Sequence, residues 1–478
     1  MNPAIAKKEK SRWHPVYERY VLAEQYRFGK AHLIGYFFDS LTAYALELSR
    51  LGVPHSTDAV LALKTQRHQA LPNFDGSAED PFFAIYQALQ AAKGAEVAGA
   101  MRQGLSRNDL DITVFRAFVR DRALDTLDAL RALRQNLLEL SEAHQDTLMV
   151  AYTHYRPAQP TTLGHYLAAI ENLLSRDHKR LFAAMKTADC SPLGSSALAG
   201  SPMAVDRHQL AREMGFGGVV ENTYDGVSAG DWALEIAAGL ASLATSLSRL
   251  ANDLLFWAER GGFVVADSLV QGSSIMPQKR NPVVLEHIRA YLAQVLGGPV
   301  SLQALNHNTP FGDLNDHSTG VLEPLERLNH AARGALELMQ VTLSESTFVP
   351  EALAAGLKDG SVMASELVDV LVTQGYLPLS EAQTRVKALM AALFESGRTL
   401  SQAEAPDFVL HLGFDDAALF NALDPRRFLE RRAVLGGVAS SAQQKSLTLA
   451  KKRLYNHRRA LLSKRRLVRA ARARLAKD

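Results

Sequence analysis

Cysteine is all but absent. Cys190 is the one thiol in 478 residues, which excludes an intrachain disulfide framework and any multi-thiolate metal site, and fits a reducing compartment. Its neighbours Ala188, Asp189, Ser191 and Pro192 supply no histidine, so the thiol is read as a bystander and not as a nucleophile. No apolar run is long enough to span a bilayer, and the opening MNPAIAKKEKSRWHP is charged where a signal peptide needs its apolar stretch. The expectation is a cytoplasmic protein without membrane contact. Net charge is only +3, too little over this length for the bulk field to recruit nucleic acid or a membrane. A Walker loop, an HExxH zinc pattern and a dinucleotide fingerprint are also missing, and GFGG at 215–218 is read as a turn. No cofactor and no metal are expected.

Strand signals are few as well. Short β-branched runs such as Val219-Val220 and Val264-Val265 do not alternate over enough residues to propose a sheet. What is present is helical periodicity. Apolar residues fall on one stripe from Thr162 to Met185, from Glu235 to Glu259, between Asp121 and Leu140, and after Pro282 through Leu285, Ile288, Leu292 and Val295. The predicted fold is all-α, with a long central bundle. The chain exceeds what one core organises, so three helical domains are expected: 1–110, a central bundle at 111–350 that includes the loop 271–282, and a C-terminal domain with a basic tail at 351–478. Glycine and proline gather in the connections 190–202, 215–218, 271–282 and 308–313, where the unusual polar residues also lie.

The tail from 451 to 478 carries twelve Lys or Arg against one acid. Such a segment could meet nucleic acid. Leu454, Leu461, Leu462, Leu467 and Val468 give it a packing stripe, however, and it has no aromatic platform beyond Tyr455, so it is read as a solvated terminal helix and not as a nucleic-acid partner.

The densest chemistry is Gly272-Ser273-Ser274-Ile275-Met276-Pro277-Gln278-Lys279-Arg280-Asn281-Pro282. Glycine and small hydroxyls let a loop approach a ligand closely, the prolines stiffen the chain behind them, and Lys279 with Asn281 adds a charge and an amide. That set suits carboxylate binding. A serine-rich surface loop would explain the glycine and serines but not their conjunction with Met-Pro-x-Lys-x-Asn.

This segment resembles the signature of the fumarase and aspartase superfamily, Gly-Ser-Ser-x-Met-Pro-x-Lys-x-Asn. Neighbouring blocks recur in the family's order: GLSRND at 104–109, YTHYRPAQP at 152–160 and PLGSSALAG at 192–200. Within the superfamily they look most like argininosuccinate lyase, with Asn222, Asp225, Val227, Ser228 and Asp231 echoing a further run. The resemblance covers roughly residues 85 to 300.

The resemblance implies elimination of fumarate from an N-substituted aspartate, a carbon–nitrogen lyase reaction. A proton beside a carboxylate is weakly acidic, so the reaction needs a base and strong stabilisation of the aci-carboxylate that forms. By resemblance, Ser273 is the base, Lys279 and Asn281 receive the developing charge, and His154, oriented by Glu286, handles the second proton transfer. Ser106, Arg107, Asn108, Thr153 and Gln159 match positions that grip the fumarate-forming half, and Ser274 and Met276 of the loop are counted with them. The resemblance also implies a homotetramer whose sites are each shared by three subunits.

Departures from argininosuccinate lyase bear on the leaving group. Its opening Trp-Gly-Gly-Arg-Phe has no counterpart around Trp13, and where the family receives the amino-acid end of its substrate this chain has Pro310, Asn315 and Ser318 in place of tyrosine, glutamine and lysine. Buried polar contacts are not lost without cost unless their ligand partner is lost too. The expected leaving amine is therefore one other than arginine, with true argininosuccinate lyase as the alternative. Further alternatives are a cycloisomerase of the carboxymuconate type and a crystallin-like structural member, the latter opposed by the retained Ser273, Lys279, His154 and Glu286. The Ala158-Gln159 pair argues against fumarase and adenylosuccinate lyase. Asp313 and Asp316 are read as loop carboxylates or helix caps and not as cation ligands.

Overall fold

A computed structural model describes residues 12–477; the opening segment through residue 11, on which the reading of no signal peptide rests, lies outside them. Five long helices of the described residues form the body: α1 (Arg107–Ala143), α2 (Leu163–Ala188), α3 (Asp231–Glu259), α4 (Val283–Asn306) and α5 (Thr319–Glu345). Their starts are chemically marked. Ser106 and Asp109 close a capping box on α1, the Thr162 hydroxyl accepts from the His165 N–H at the head of α2, and Pro282 precedes α4.

Each helix packs on the next, and α5 returns to α1, closing a ring. Side-chain pairs fix the directions. Arg134 with Glu171 and Arg116 with the Thr187 carbonyl run α1 and α2 antiparallel, whereas Thr126 with Asn329 and Asn136 with the Gln340 carbonyl run α1 and α5 parallel. One end of the bundle therefore holds the starts of α1, α3 and α5, and the other holds their ends. Leu130, Leu167, Leu247 and Leu325 are fully buried between the helices; cutting one of them to alanine would cost roughly 2–5 kcal/mol.

The N-terminal helices, among them Ile34–Arg50 and Pro81–Lys93, cover the first half of α1. There the Tyr36 ring meets Phe118 edge-on, and its hydroxyl donates to Asp121 at 3.1 Å. A small separate core built on Leu367, Val386, Leu389 and Phe408 belongs to the segment after α5. It joins the far end of the bundle through Leu357, Met363 and Phe428, which pack on Val150.

The basic tail belongs to a single helix, α6 (Ser440–Ala476), that lies along α1 and α2. Leu454, Leu461 and Val468 are buried as the stripe required, while Leu462 and Leu467 face out. Much of its charge is paired: Arg465 with Asp125 at 2.8 Å, Arg472 with Asp121 at 2.6 Å, and Lys451 with Glu142 at 2.8 Å. A solvated helix describes only its outer side.

The all-α reading holds, with one feature that the periodicity did not announce. Strands β1 (Leu148–Thr153) and β2 (Arg156–Thr162) form a hairpin at the far end of the bundle. Pro157 and Pro160 disguise β2, since proline argues against a central strand; in a two-stranded ribbon every strand is an edge, and the missing N–H groups are tolerated. A shorter pair, β3 (Gln271–Gly272) with β4 (Arg280–Asn281), closes the base of the glycine-serine loop. No helix of the described residues is long and apolar enough to cross a membrane.

Candidate active site

The sequence-selected residues fall into two groups, one at each end of the bundle. Ser106, Arg107 and Asn108 sit at the start of α1. The Ser106 hydroxyl donates to the Asn108 side-chain oxygen and accepts from the Asn108 N–H at 3.3 Å, and the Asn108 amide donates to Asp313. Arg107 is already held: its guanidinium forks onto Asp111 at 2.7 and 3.1 Å, reaches Asp80 at 2.6 Å and lies over the Phe82 ring. Burial pushes the Asp111 carboxyl up to about 6, against the pull of Arg107. Asp109, also pushed up to about 6 by burial, accepts from the Gly194 N–H at 2.8 Å and the Ser106 N–H at 3.1 Å, so the PLGSSALAG loop is tied to the head of α1.

The loop from 307 to 318 folds onto the same end. Tyr224 stacks on Phe311, the His317 ring meets the Gly312 carbonyl at 2.6 Å, and the buried Ser318 hydroxyl donates to the Leu314 carbonyl at 2.8 Å. Burial raises the Asp313 carboxyl from its ordinary value. Asp313 thus serves as the acceptor for Asn108, a role its loop position did not disclose.

At the opposite end, His154 stands on the two-residue turn joining β1 and β2. Both turn residues are left-handed, His154 at φ 51° and Tyr155 at φ 59°, a conformation that costs a non-glycine residue about 1–3 kcal/mol. His154 and Glu286, the latter in the first turn of α4, line one cleft of about 1330 Å³ together with Tyr152, Tyr166, Arg249 and Arg289. Thr153 and Gln159 are not among its lining residues and are exposed on the hairpin.

Ser273, Ser274, Met276 and Lys279 belong to the loop between β3 and β4, and Asn281 closes its base. The Ser273 hydroxyl accepts from the N–H groups of Ile275 at 3.3 Å and Met276 at 3.1 Å, so it caps a local turn. The tip is open to solvent, with Ile275 84% exposed. Arg280 anchors the base by donating to the Val265 carbonyl at 2.9 Å and pairing with Asp267. Because β4 runs into α4, this loop and Glu286 are neighbours in the chain.

Motif reading did not select Arg249, Asn252 and Arg289 of the cleft. Isolated polar residues on helices read as solvated faces, and no local pattern marks them. Among the described residues, no group of three or more His, Cys, Asp or Glu could hold a metal ion.

The sequence pattern of the lyase family matches residues 54–297. An argininosuccinate lyase of Agrobacterium fabrum is 32% identical over 443 residues, covering 89% of this chain and 88% of that protein. One from Thiobacillus denitrificans is 36% identical over 378 residues, 77% of this chain and 81% of its own length. Among solved structures, an EDDS lyase in complex with formate superposes with a TM-score of 0.83 at 26% identity, covering 97% of this chain and 94% of that one.

Proposed function

Because the chain belongs to the argininosuccinate lyase-like group of the fumarase and aspartase superfamily, we propose that it eliminates fumarate from an N-substituted aspartate and releases an amine other than arginine. In this reading Ser273 takes the proton from the carbon beside the carboxylate. Its hydroxyl becomes basic only when positive charge and donors gather around it in the closed loop, and Lys279 brings the charge while Asn281 brings the donor. His154, steered by Glu286, passes the second proton to the departing nitrogen or through a water. Ser106, Asn108, Thr153 and Gln159 bind the dicarboxylate, with Ser274 and Met276 contributing from the loop. Arg107, engaged by two carboxylates, takes part either by releasing one of them or by holding its neighbours in place.

The observation that carries the reading is the shared cleft of His154 and Glu286, with the Ser273 loop rooted at the head of the same helix α4. Length supports an assembly. Helix α1 has 37 residues and is about 55 Å long, with Ser106–Asn108 at its head and the hairpin of His154 beyond its tail. One chain cannot close a site around a small dicarboxylate from both groups, so a homotetramer that shares each site among subunits is part of the proposal, as is a cytoplasmic setting.

Ser318 stands where argininosuccinate lyases present a lysine, and its hydroxyl is turned inward onto the Leu314 carbonyl, which supports a changed amine pocket. The curated relatives favour a second reading, argininosuccinate lyase itself. Purified protein offered argininosuccinate and a panel of N-substituted aspartates, with fumarate absorbance as the signal, separates the two. Turnover of argininosuccinate at rates ordinary for enzymes, about 1 s⁻¹ or more, would overturn the first. No fumarate from any substrate would sink both.

A further inference from the structure

Among the described residues, the turn carrying His154 is the one place where two consecutive non-glycine residues hold positive φ. A two-residue hairpin turn with this φ signature favours Asn-Gly or Asp-Gly. A residue as large as tyrosine persists there only when its surroundings over-determine the backbone. Burial within the chain does not do so here, because Tyr155 is 75% exposed in the single subunit.

Phe256 of α3 meets both flanking rings. Tyr152, just before the turn, packs edge-on against it with centroids 5.0 Å apart, and Tyr155 lies at 6.2 Å. The Arg260 guanidinium covers the same ring at 4.2 Å. The hairpin register also shifts between Ala151 and Tyr152, a bulge that twists the ribbon as it enters the turn. Tyr152, His154, Tyr155 and Phe256 all line the cleft that contains Glu286.

We infer that Tyr152 and Tyr155 grip Phe256 as a clamp that keeps this turn in its strained shape and so aims the His154 imidazole into the cleft. Tyr155 and Phe256 are positioning residues. The inference rests on the proton-transfer role given to His154 above, and its test includes a readout that does not need turnover.

Four variants decide it: Tyr155→Gly and Phe256→Ala remove a ring, while Tyr155→Phe and Phe256→Tyr keep one. In the ring-removing pair kcat falls about tenfold or more, with KM within about threefold of the native value. The ring-keeping pair stays within about twofold of native. Tyr155→Gly also melts no lower than the native protein, since glycine accepts positive φ without strain. Carbethoxylation by diethyl pyrocarbonate, followed by peptide mass spectrometry, reports His154 directly. Its rate shifts at least about threefold in the ring-removing variants as the imidazole is freed, and the other histidines serve as internal controls.

An unchanged His154 rate in Tyr155→Gly, or full kcat there, overturns the clamp. A shifted rate in a protein that yields no fumarate from any substrate supports the clamp and removes the lyase reading. Should Phe256→Ala fail to fold, Tyr155→Gly on the exposed turn suffices alone to decide between these outcomes.

Discussion

At the head of α1, candidate groups already have partners within the chain: Arg107 has Asp80 and Asp111, Asn108 has Asp313, and Asp109 has two backbone N–H groups. At the far end the loop tip with Ser273 and Lys279 is open, and the His154 turn projects from a two-stranded ribbon. The closed end is internally satisfied, and its Arg107 and Asn108 would have to exchange a carboxylate partner to grip an incoming anion. The open end carries Ser273 and His154, to which the proposal gives the proton transfers. The two groups of candidate residues stand at opposite ends of α1.

The largest expected effect lies at the open end. Ser273→Ala should lower kcat about 10²–10⁴-fold while native mass spectrometry still finds the native assembly; substantial residual turnover removes serine from the base role. Asn108→Ala, at the closed end, should cost roughly 10- to 100-fold in kcat/KM. The comparison sharpens when these two impaired proteins are unfolded and refolded together. If sites are shared between subunits, the mixture exceeds the mean activity of its two components, and a mixture no more active than that mean argues for sites complete within one chain.

Smaller effects concern stability. Asp111→Asn takes from Arg107 its forked partner and should lower unfolding free energy by about 1–3 kcal/mol in urea titration; an unchanged midpoint would mean that Asp80 alone suffices. The smallest is a pH effect on α6. His457 stacks on His178 with centroids 4.3 Å apart and meets the Arg134 guanidinium at 3.0 Å. Burial, first of all, holds His178 down to about 3 and His457 down to about 4, with nearby cations adding to it. Depressed folded values mean that this stability is complete above the ordinary histidine value near 6.5 and drains away as pH falls through about 4 and then 3. The melting temperature should therefore drop between pH 7 and pH 4, and His457→Asn, which can still accept from Arg134, should flatten that drop. Parallel curves for the two proteins would rule the pair out.

The fold was legible where periodicity is strong. The stripes at Thr162–Met185 and Glu235–Glu259 correspond to α2 and α3 within a few residues. The stripe at Asp121–Leu140 found only the later part of α1; its first turn is polar, but Leu110, Ile112, Phe115 and Phe118 are buried and extend the apolar face upstream. Helix α5 went unselected, and the hairpin was hidden by the prolines of β2. For the site, motif reading selected Ser273, Lys279 and Asn281, which fall on one loop and its base, and His154 and Glu286, which line one cleft. It could have read the i,i+4 pair of Arg107 with Asp111, but not the second partner Asp80, 27 positions away in sequence, nor that Asp313 waits for Asn108. Such long-range pairings are fixed by the packing of α1 against its neighbours, not by any local pattern.

The dimensions of α1 carry a consequence for how this protein can change. One inserted residue would slide everything beyond it by about 1.5 Å and swing it through about 100°, so the hairpin would leave its register with Phe256 and the capped head of the helix would no longer face Asp313. Length can therefore drift only if all five helices of the bundle lengthen together, which confines tolerated insertions to the end loops and makes the loops the natural ground for new substrate preferences.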